Sequence, residues 1–213
     1  MNCPICQLRP GGLELTAKLI SHCHLDPERR VLDIGCGRGE SLAYIKERYD
    51  CSCFGIEADQ ELCAEAKRNY PALLFYNAQA EQLPFDDSFF DCILLECVIS
   101  LFDQPFITLA EVSRVLKPGG KLLISDVYVR SHMPVAQGQG MLRNIYTREQ
   151  NISILEDCGF TVISFADQSD CLIQMLGQMI FDLGLQAAYQ SLGLDVCSLQ
   201  QVKIGYALMV AGK

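Results

Sequence analysis

Short apolar runs alternate with amphipathic segments along most of the chain, a pattern typical of strands separated by helices. The apolar runs predict strands at residues 30–34, 51–57, 72–76, 90–95, 121–126, 160–166 and 203–211. The amphipathic segments predict helices at residues 13–23, 40–49, 60–69, 105–116 and 148–158. Because strands joined through helices pair in parallel and are covered on both faces, this order predicts a doubly wound α/β sheet of seven strands.

Local signals mark several boundaries of these elements. Asp59 can cap the helix that follows the second strand, and residues 147–150, Thr-Arg-Glu-Gln, form a capping box. Residues 117–120, Lys-Pro-Gly-Gly, combine a proline with two glycines. We therefore expect this sequence to break the chain before the fifth strand.

Two segments interrupt the alternation. Residues 127–146 are polar and poorly periodic, and they follow the carboxyl end of a strand, where ligand crevices form in such sheets. Residues 167–200 carry apolar side chains at helical spacing, namely Leu172, Met175, Leu176, Met179, Ile180 and Leu183. We interpret the second segment as a helical insertion that packs on the domain before the last strand. A lid or the face of a homodimer is the alternative.

Length and composition favour one globular domain. The chain has 213 residues, of which 50% are hydrophobic and 20% charged, and it contains no repeat or long flexible linker. A chain of this length can bury a sizeable core without disulfides or metal. We expect a single domain over residues 1–213, with an N-terminal helical cap at about 1–27 and the insertion at about 167–200.

The charge balance narrows the classes of partner. The chain carries 26 acidic and 17 basic residues, a formal net charge of −9. Such a surface repels phosphate backbones and anionic headgroups, so nucleic-acid and membrane-surface partners are disfavoured. No apolar run approaches the ~20 residues of a membrane helix, and no secretory leader is recognisable. The twelve scattered cysteines are then expected to be mostly buried thiols in a reducing cytoplasm.

The most informative stretch follows the first strand. Residues 31–39 read Val-Leu-Asp-Ile-Gly-Cys-Gly-Arg-Gly, a glycine loop whose backbone can approach a nucleotide-like ligand. Its Gly-x-Gly-x-Gly spacing fails the dinucleotide fingerprint, and Asp33 would repel a pyrophosphate, so a nicotinamide enzyme is disfavoured. Glu57, at the end of the second strand, can accept both hydroxyls of a ribose. A ligand with a ribose, a positive charge and no phosphate describes S-adenosylmethionine.

These residues and several later segments resemble the class I S-adenosylmethionine-dependent methyltransferases, especially the small-molecule branch that includes quinone and arsenite methyltransferases. Residues 31–39 are similar to the first motif of that family and residues 55–58 to its ribose motif. Residues 77–85 resemble the adenine segment, residues 90–96 the fourth strand, and residues 116–121 the turn before the fifth. The resemblance implies a Rossmann-like, mostly parallel sheet whose last strand is antiparallel, and S-adenosylmethionine as cofactor.

The resemblance also implies how the cofactor is held. The Asp33 side chain and the Gly35 backbone would bind the methionine ammonium, and Glu57 would bind the ribose hydroxyls. Asp33 and Glu57 could alternatively do no more than cap the helices that follow them.

Three further residues follow from the same resemblance. Gln79 stands where the family usually has an aspartate that binds the adenine amino group, and its amide carbonyl can accept the same hydrogen bond. Ala80 would offer its backbone N–H to the ring, and Glu96 would lie beside the sulfonium. The whole expected cofactor-binding set is Asp33, Gly35, Cys36, Gly37, Gly39, Glu57, Ala58, Gln79, Ala80, Glu81 and Glu96.

The implied reaction is an in-line displacement that transfers the methyl group to a small-molecule acceptor, for which the enzyme aligns the acceptor and excludes water. No residue is a convincing general base. Tyr128, His132 and Tyr146 lie where the acceptor would approach, but we interpret each as a surface or packing residue and leave the catalytic residue unassigned.

The N-terminal cysteines leave an alternative open. Cys3 and Cys6 have metal-knuckle spacing, and His22, Cys23 and His24 could complete a tetrahedral site. The two histidines would lie on different sides of a helix and no second Cys-x-x-Cys exists, so we expect free thiols and no metal. A cofactor-binding partner of a metal or redox assembly, without transferase activity, and an arsenite methyltransferase-like enzyme remain the alternative functions.

Overall fold

The computed structural model describes residues 9–130, 144–191 and 203–213, which form a seven-stranded sheet flanked by helices. The strands are β1 (Arg30–Ile34), β2 (Ser52–Glu57), β3 (Leu74–Asn77), β4 (Phe90–Glu96), β5 (Leu116–Val129), β6 (Thr161–Asp167) and β7 (Ile204–Gly212). They lie in the order β3-β2-β1-β4-β5-β7-β6. The first five strands pair in parallel, and β7 is antiparallel to both β5 and β6. The predicted α/β class and the antiparallel last strand are confirmed.

The helices follow the predicted order closely. They are α1 (Gly12–Ile20), α2 (Glu40–Tyr49), α3 (Gln60–Asn69), α4 (Pro105–Val115), α5 (Arg148–Asp157), α6 (Ser169–Leu183) and α7 (Leu185–Ser191), with a short 3₁₀ turn at Ile99–Leu101. The Asp59 carboxylate accepts from the backbone N–H groups of Glu61 and Leu62, at 2.8 and 3.0 Å. The capping box of Thr147 and Gln150 is also present, so both predicted helix starts are confirmed.

Alternate residues of the central strands face two separate cores. Val31 of β1 packs in the core beneath α1, α2 and α3, whereas its neighbour Leu32 packs beneath α4 and α5. Leu94 and Leu95 of β4 divide in the same way. With both faces of the sheet covered, the carboxyl ends of the strands are where polar groups can meet a ligand.

The Lys-Pro-Gly-Gly sequence differs from its prediction. Strand β5 already begins at Leu116, which pairs with Phe90, and the pairing resumes two residues along β4 and five along β5, with Cys92 opposite Lys121. The extra residues are accommodated as an irregularity in which Gly119 adopts a φ of 79°. The expected break is therefore a bulge within the strand, because the flanking residues keep their hydrogen-bonded partner in β4.

The segment before the last strand contains two helices in its described part. Leu172 and Met179 of α6 are buried, and Met179 packs with Ala188 of α7. The predicted apolar stripe thus packs inward, except that Leu183 at its end is 54% exposed. Residues 192–202 and 131–143, which include His132, lie outside the described residues.

No helix in the described ranges is long and apolar enough to cross a lipid bilayer.

Candidate cofactor-binding site

A cavity of about 640 Å³ opens at the carboxyl ends of β1, β2 and β4. This volume is typical of a site for a small organic ligand. Ten of the eleven residues expected from the sequence line it: Asp33, Gly35, Cys36, Gly37, Glu57, Ala58, Gln79, Ala80, Glu81 and Glu96. The eleventh, Gly39, is the N-cap of α2 and is not part of the wall. A Cβ at Gly39 would lie 2.6 Å from Phe75 Cζ, so this glycine allows α2 to pack closely against β3.

The glycine loop is held tightly against the neighbouring strands. The backbone N–H groups of Gly35 and Cys36 both donate to the carbonyl of Ile56 in β2, at 2.8 and 3.0 Å. Gly35 has a φ of 74°, and a Cβ there would lie 2.4 Å from Val98 Cγ1. The loop can therefore follow this path beside Val98 only without a side chain at position 35.

The Glu57 carboxylate is oriented by two backbone donors. Its Oε2 accepts from Gly37 N–H and its Oε1 accepts from Asp59 N–H, both at 2.9 Å. Asn77 fixes the same turn from β3, since its Nδ2 donates to the carbonyls of Glu57 and Ala58 at 2.8 and 2.9 Å. The carboxylate is thus preorganised on the cavity wall before any ligand arrives.

Asp33 has the most perturbed environment of the expected binding residues. Its side chain is only 3% exposed. Burial raises the pKa of Asp33 well above its ordinary value, the Glu96 carboxylate raises it further, and the Arg9 guanidinium partly opposes both. Glu57 adds a smaller push in the same direction. A ligand that brings positive charge to this wall would favour the ionised carboxylate.

Glu96 lies at the end of β4 and anchors three side chains from distant parts of the chain. Arg9 Nη1 lies 2.7 Å from Oε2, Ser41 Oγ donates to the same oxygen at 2.5 Å, and Thr16 Oγ1 donates to Oε1 at 2.9 Å. Arg9 also donates to Ser41 Oγ. The network ties the segment that begins α1 to the sheet, and its buried carboxylate is satisfied by these donors.

The adenine segment expected from the sequence lies beside Glu57. Ala78 N–H donates to the Glu57 carbonyl at 3.3 Å, which keeps the chain after β3 next to the end of β2. Gln79, Ala80 and Glu81 then form the adjacent wall, where the Gln79 side chain is exposed. The amide, backbone and carboxylate of this segment are therefore available for hydrogen bonds to a flat heterocycle.

The cavity wall also contains apolar side chains. They include Leu13 and Leu101, which are 40% and 36% exposed, together with Phe102. Cys97 follows Glu96 with a φ of 59°, and its thiol lies 2.9 Å from the Tyr206 hydroxyl. Burial, reinforced by Asp126, raises the pKa of the Cys97 thiol, so this group is neutral at ordinary pH.

Comparison with known families settles the class of this fold. The family described as "Methyltransferase domain" matches residues 32–124, which run from β1 into β5. The match includes the glycine loop, Glu57, residues 78–81 and Glu96. The chain contains a class I S-adenosylmethionine-dependent methyltransferase domain. The family expected from the sequence is confirmed, without a decision between its branches.

Individual relatives agree with this assignment. The methyltransferase is 33% identical over 138 residues to the uncharacterized methyltransferase YodH of Bacillus subtilis, a match that covers 62% of this chain but only 58% of YodH. It is similar to the structure of the [4+2]-cyclase SpnF, with 26% identity, a TM-score of 0.78, and coverage of 93% of this chain and 80% of SpnF. The geranyl diphosphate C-methyltransferase of Streptomyces coelicolor A3(2) shares the fold with 16% identity and a TM-score of 0.78, over 93% of this chain and 79% of its own. That structure contains S-adenosyl-L-homocysteine. The match to the methyltransferase domain supports S-adenosylmethionine as the cofactor expected here.

Two of the three residues considered as bases, Tyr128 and Tyr146, are not part of the described cavity wall. The Tyr128 hydroxyl donates to Asp167 at 2.5 Å, and burial together with that carboxylate raises the pKa of Tyr128 to about 12. Burial also raises the pKa of Tyr146. His132 lies outside the described residues, as do Cys3 and Cys6. Within the described ranges, no group of three or more His, Cys, Asp or Glu side chains could hold a metal ion.

Sequence reasoning missed Arg9 and Ser41 as members of the cavity wall. Ser41 lies in the first turn of α2, two residues after the glycine loop, and Arg9 is separated from Glu96 by 87 positions. The only signal near Arg9 was its place before the helix predicted at residues 13–23. Nothing in a hydrophobic pattern pairs an arginine with a glutamate so far along the chain.

Proposed function

We propose that this methyltransferase transfers the methyl group of S-adenosylmethionine to a small-molecule acceptor. The observation that carries the proposal is the cavity that brings Asp33, Glu57, residues 78–81 and Glu96 to one edge of the sheet. Its acidic wall suits a cationic ligand and opposes a diphosphate.

The proposed cofactor pose uses each part of this wall. Asp33 and the Gly35 backbone would hold the ammonium, and the preoriented Glu57 carboxylate would accept both ribose hydroxyls. Gln79 and the Ala80 N–H would bind the adenine. The remaining expected residues would act through shape: Cys36, Gly37, Ala58 and Glu81 as wall, and Gly39 by holding the loop on β3.

The cofactor supplies a methyl group already activated by a sulfonium leaving group. The protein then has to align the acceptor atom behind that methyl group and exclude water. We assign no general base to the described cavity wall: the Glu57 and Glu96 carboxylates already accept hydrogen bonds from the protein, and the Cys97 thiol is held neutral. Acceptors that are nucleophilic without deprotonation therefore fit this site best.

An acceptor with an apolar part is included in the proposal, because the cavity wall also contains the apolar side chains of Leu13, Leu101 and Phe102. A net charge of −9 opposes a nucleic-acid acceptor. The Streptomyces C-methyltransferase of the same fold, by comparison, was solved with geranyl diphosphate. A reducing cytoplasm as the compartment is part of this proposal, since the nine described cysteines are all free thiols.

The deciding experiment measures methyl transfer from labelled S-adenosylmethionine to separate panels of thiol, oxygen, nitrogen, carbon and trivalent arsenic acceptors. We expect S-adenosylhomocysteine to form with one panel and calorimetry to give a micromolar dissociation constant for the cofactor. Absence of cofactor binding by the wild type would contradict the proposal. Tight binding with no transfer to any panel would instead support a cofactor-binding partner without transferase activity.

We expect Glu57→Ala to weaken S-adenosylmethionine binding about 100-fold, because two charge-assisted hydrogen bonds to the ribose are lost. Isothermal calorimetry measures the change. Glu61→Ala is the matched control, since Glu61 is exposed on the first turn of α3 and is not part of the cavity wall. Equal affinities of the two variants would contradict the assigned role of Glu57.

A further inference from the structure

Acidic residues outnumber basic ones around the cavity, although an amino-acid ligand carries both a positive and a negative charge. The described wall contains six acidic residues and two basic ones, Arg9 and Arg38. The amino-acid end of S-adenosylmethionine carries a carboxylate as well as an ammonium. Close to Asp33 and Glu96, that carboxylate would be repelled unless a cation stood beside it.

Arg9 and Arg38 differ in where their charge is directed. Arg38 Nε lies 2.8 Å from Glu65 Oε1 of α3, so this guanidinium is held toward the helix. Arg9 reaches Glu96 and Ser41 through Nη1 alone. Its Nε is buried and has no hydrogen-bond partner among the described residues. A buried N–H donor without a partner is costly, and a bound ligand would remove that cost.

The geometry of the guanidinium makes this unused donor meaningful. Nε and Nη2 form one edge of the planar group, which can hold a carboxylate through two parallel hydrogen bonds. Nη1 points away from that edge and remains free to keep its bond to Glu96. Arg9 can therefore stay anchored to the sheet while it binds a second carboxylate.

We propose that Arg9 binds the carboxylate of the amino-acid end of S-adenosylmethionine, through the Nε edge of its guanidinium. This inference rests on the proposed function and deepens it. Asp33 would bind the ammonium and Arg9 the carboxylate, so the two residues together would favour a ligand with a zwitterionic amino-acid end. Glu96 then acts as a positioning residue: both of its oxygens are already engaged by Thr16, Ser41 and Arg9, and its role is to hold the Arg9 guanidinium over the cavity.

The test compares S-adenosylmethionine with its decarboxylated analogue, which keeps the sulfonium, ribose and adenine. We expect the wild type to bind the decarboxylated analogue about 30-fold more weakly, and Arg9→Gln to lose a similar factor for S-adenosylmethionine alone. Arg9→Lys keeps the charge but not the planar edge, so its affinity for S-adenosylmethionine should lie between those of the wild type and Arg9→Gln. Arg29→Gln, an exposed arginine that pairs with Asp26 and Asp91, is the matched control and should bind like the wild type.

The outcomes distinguish a failure of the proposed function from a failure of the role of Arg9. No S-adenosylmethionine binding by the wild type would overturn the proposed function itself. Binding without preference over the decarboxylated analogue would overturn only the role of Arg9. If Arg9→Gln and Arg9→Lys weaken the binding of both ligands by a similar factor, Arg9 has a structural role and does not bind the carboxylate. If either variant binds S-adenosylmethionine more tightly than the wild type, the Arg9 side chain opposes cofactor binding and the proposed role is wrong. Thermal melting of each variant identifies any that fails to fold, and the wild-type comparison of the two ligands holds without a variant.

Discussion

Replacing Asp33 with asparagine should weaken S-adenosylmethionine binding about 100-fold and at the same time make the ligand-free protein more stable. The loss of affinity follows from removing one charge of a buried ion pair with the ligand ammonium. The gain in stability follows from the environment of the carboxylate, which is buried close to Glu96 and Glu57. Asparagine has nearly the same shape but carries no charge to desolvate.

The stability difference between Asp33→Asn and the wild type should depend on pH, and the pKa of Asp33 gives its direction. Burial raises the pKa of Asp33 in the folded state above its unfolded value, so the folded protein holds the proton more tightly. Stability contributed by that proton is complete below the unfolded pKa and is lost as the pH rises through the folded pKa. The melting temperature of Asp33→Asn should therefore exceed that of the wild type by about 3 °C at neutral pH and converge with it in acid.

Calorimetry and thermal melting measured on the same samples check both halves of the Asp33 prediction. Asp86→Asn, in an exposed loop outside the cavity wall, is the matched control and should change neither property. An Asp33→Asn protein that binds the cofactor within threefold of the wild type would refute the electrostatic role. A variant that loses affinity and stability together would show that Asp33 stabilises the fold.

Gly35→Ala should destabilise the protein by about 2–4 kcal/mol. A φ of 74° costs an L-residue about 1 kcal/mol, and the new Cβ would also lie 2.4 Å from Val98 Cγ1, an overlap that forces the backbone or Val98 to move. Because Gly35 and Val98 both line the cavity, cofactor affinity should fall as well. Urea denaturation and calorimetry measure the two effects.

The chain provides a control for Gly35→Ala and a rescue. Gly37 has a φ of 53°, but a Cβ there would meet nothing within 4 Å, so Gly37→Ala should cost only about 1 kcal/mol. Val98→Ala removes the atom that the new Cβ would strike, so the double variant Gly35→Ala/Val98→Ala should recover part of the lost stability. Equal losses in the two glycine variants would exclude the steric argument.

The sequence was sufficient for the parts of this fold that have a periodic or local signature. Alternating apolar runs located all seven strands, and short-range hydrogen bonds at Asp59 and Thr147 located two helix starts. The spacing of Asp33 and Glu57 at strand ends was informative because the carboxyl ends of parallel strands meet at one edge. That is why ten expected residues line one cavity.

Features that depend on partners far along the chain were not predictable. The bond between Arg9 and Glu96 leaves no trace in either local pattern, and the bulge at residues 117–120 depends on the register that β4 imposes. Gly39 was placed in the wall because a motif cannot distinguish a glycine that faces a ligand from one that packs on Phe75. Each of these features depends on a contact with a residue that is distant in the sequence, which a local pattern does not contain.

The central position of β7 in its half of the sheet has a consequence for how the protein folds. It lies between β5 and β6, so those two strands do not touch each other in the sheet. Residues 204–212 pair with residues of β5 that lie 75 to 91 positions earlier in the chain, and this half of the sheet closes only when they do. Pairings of such high contact order form slowly, and until β7 docks, β5 and β6 both expose unpaired backbone that a chaperone or another unfolded chain could engage.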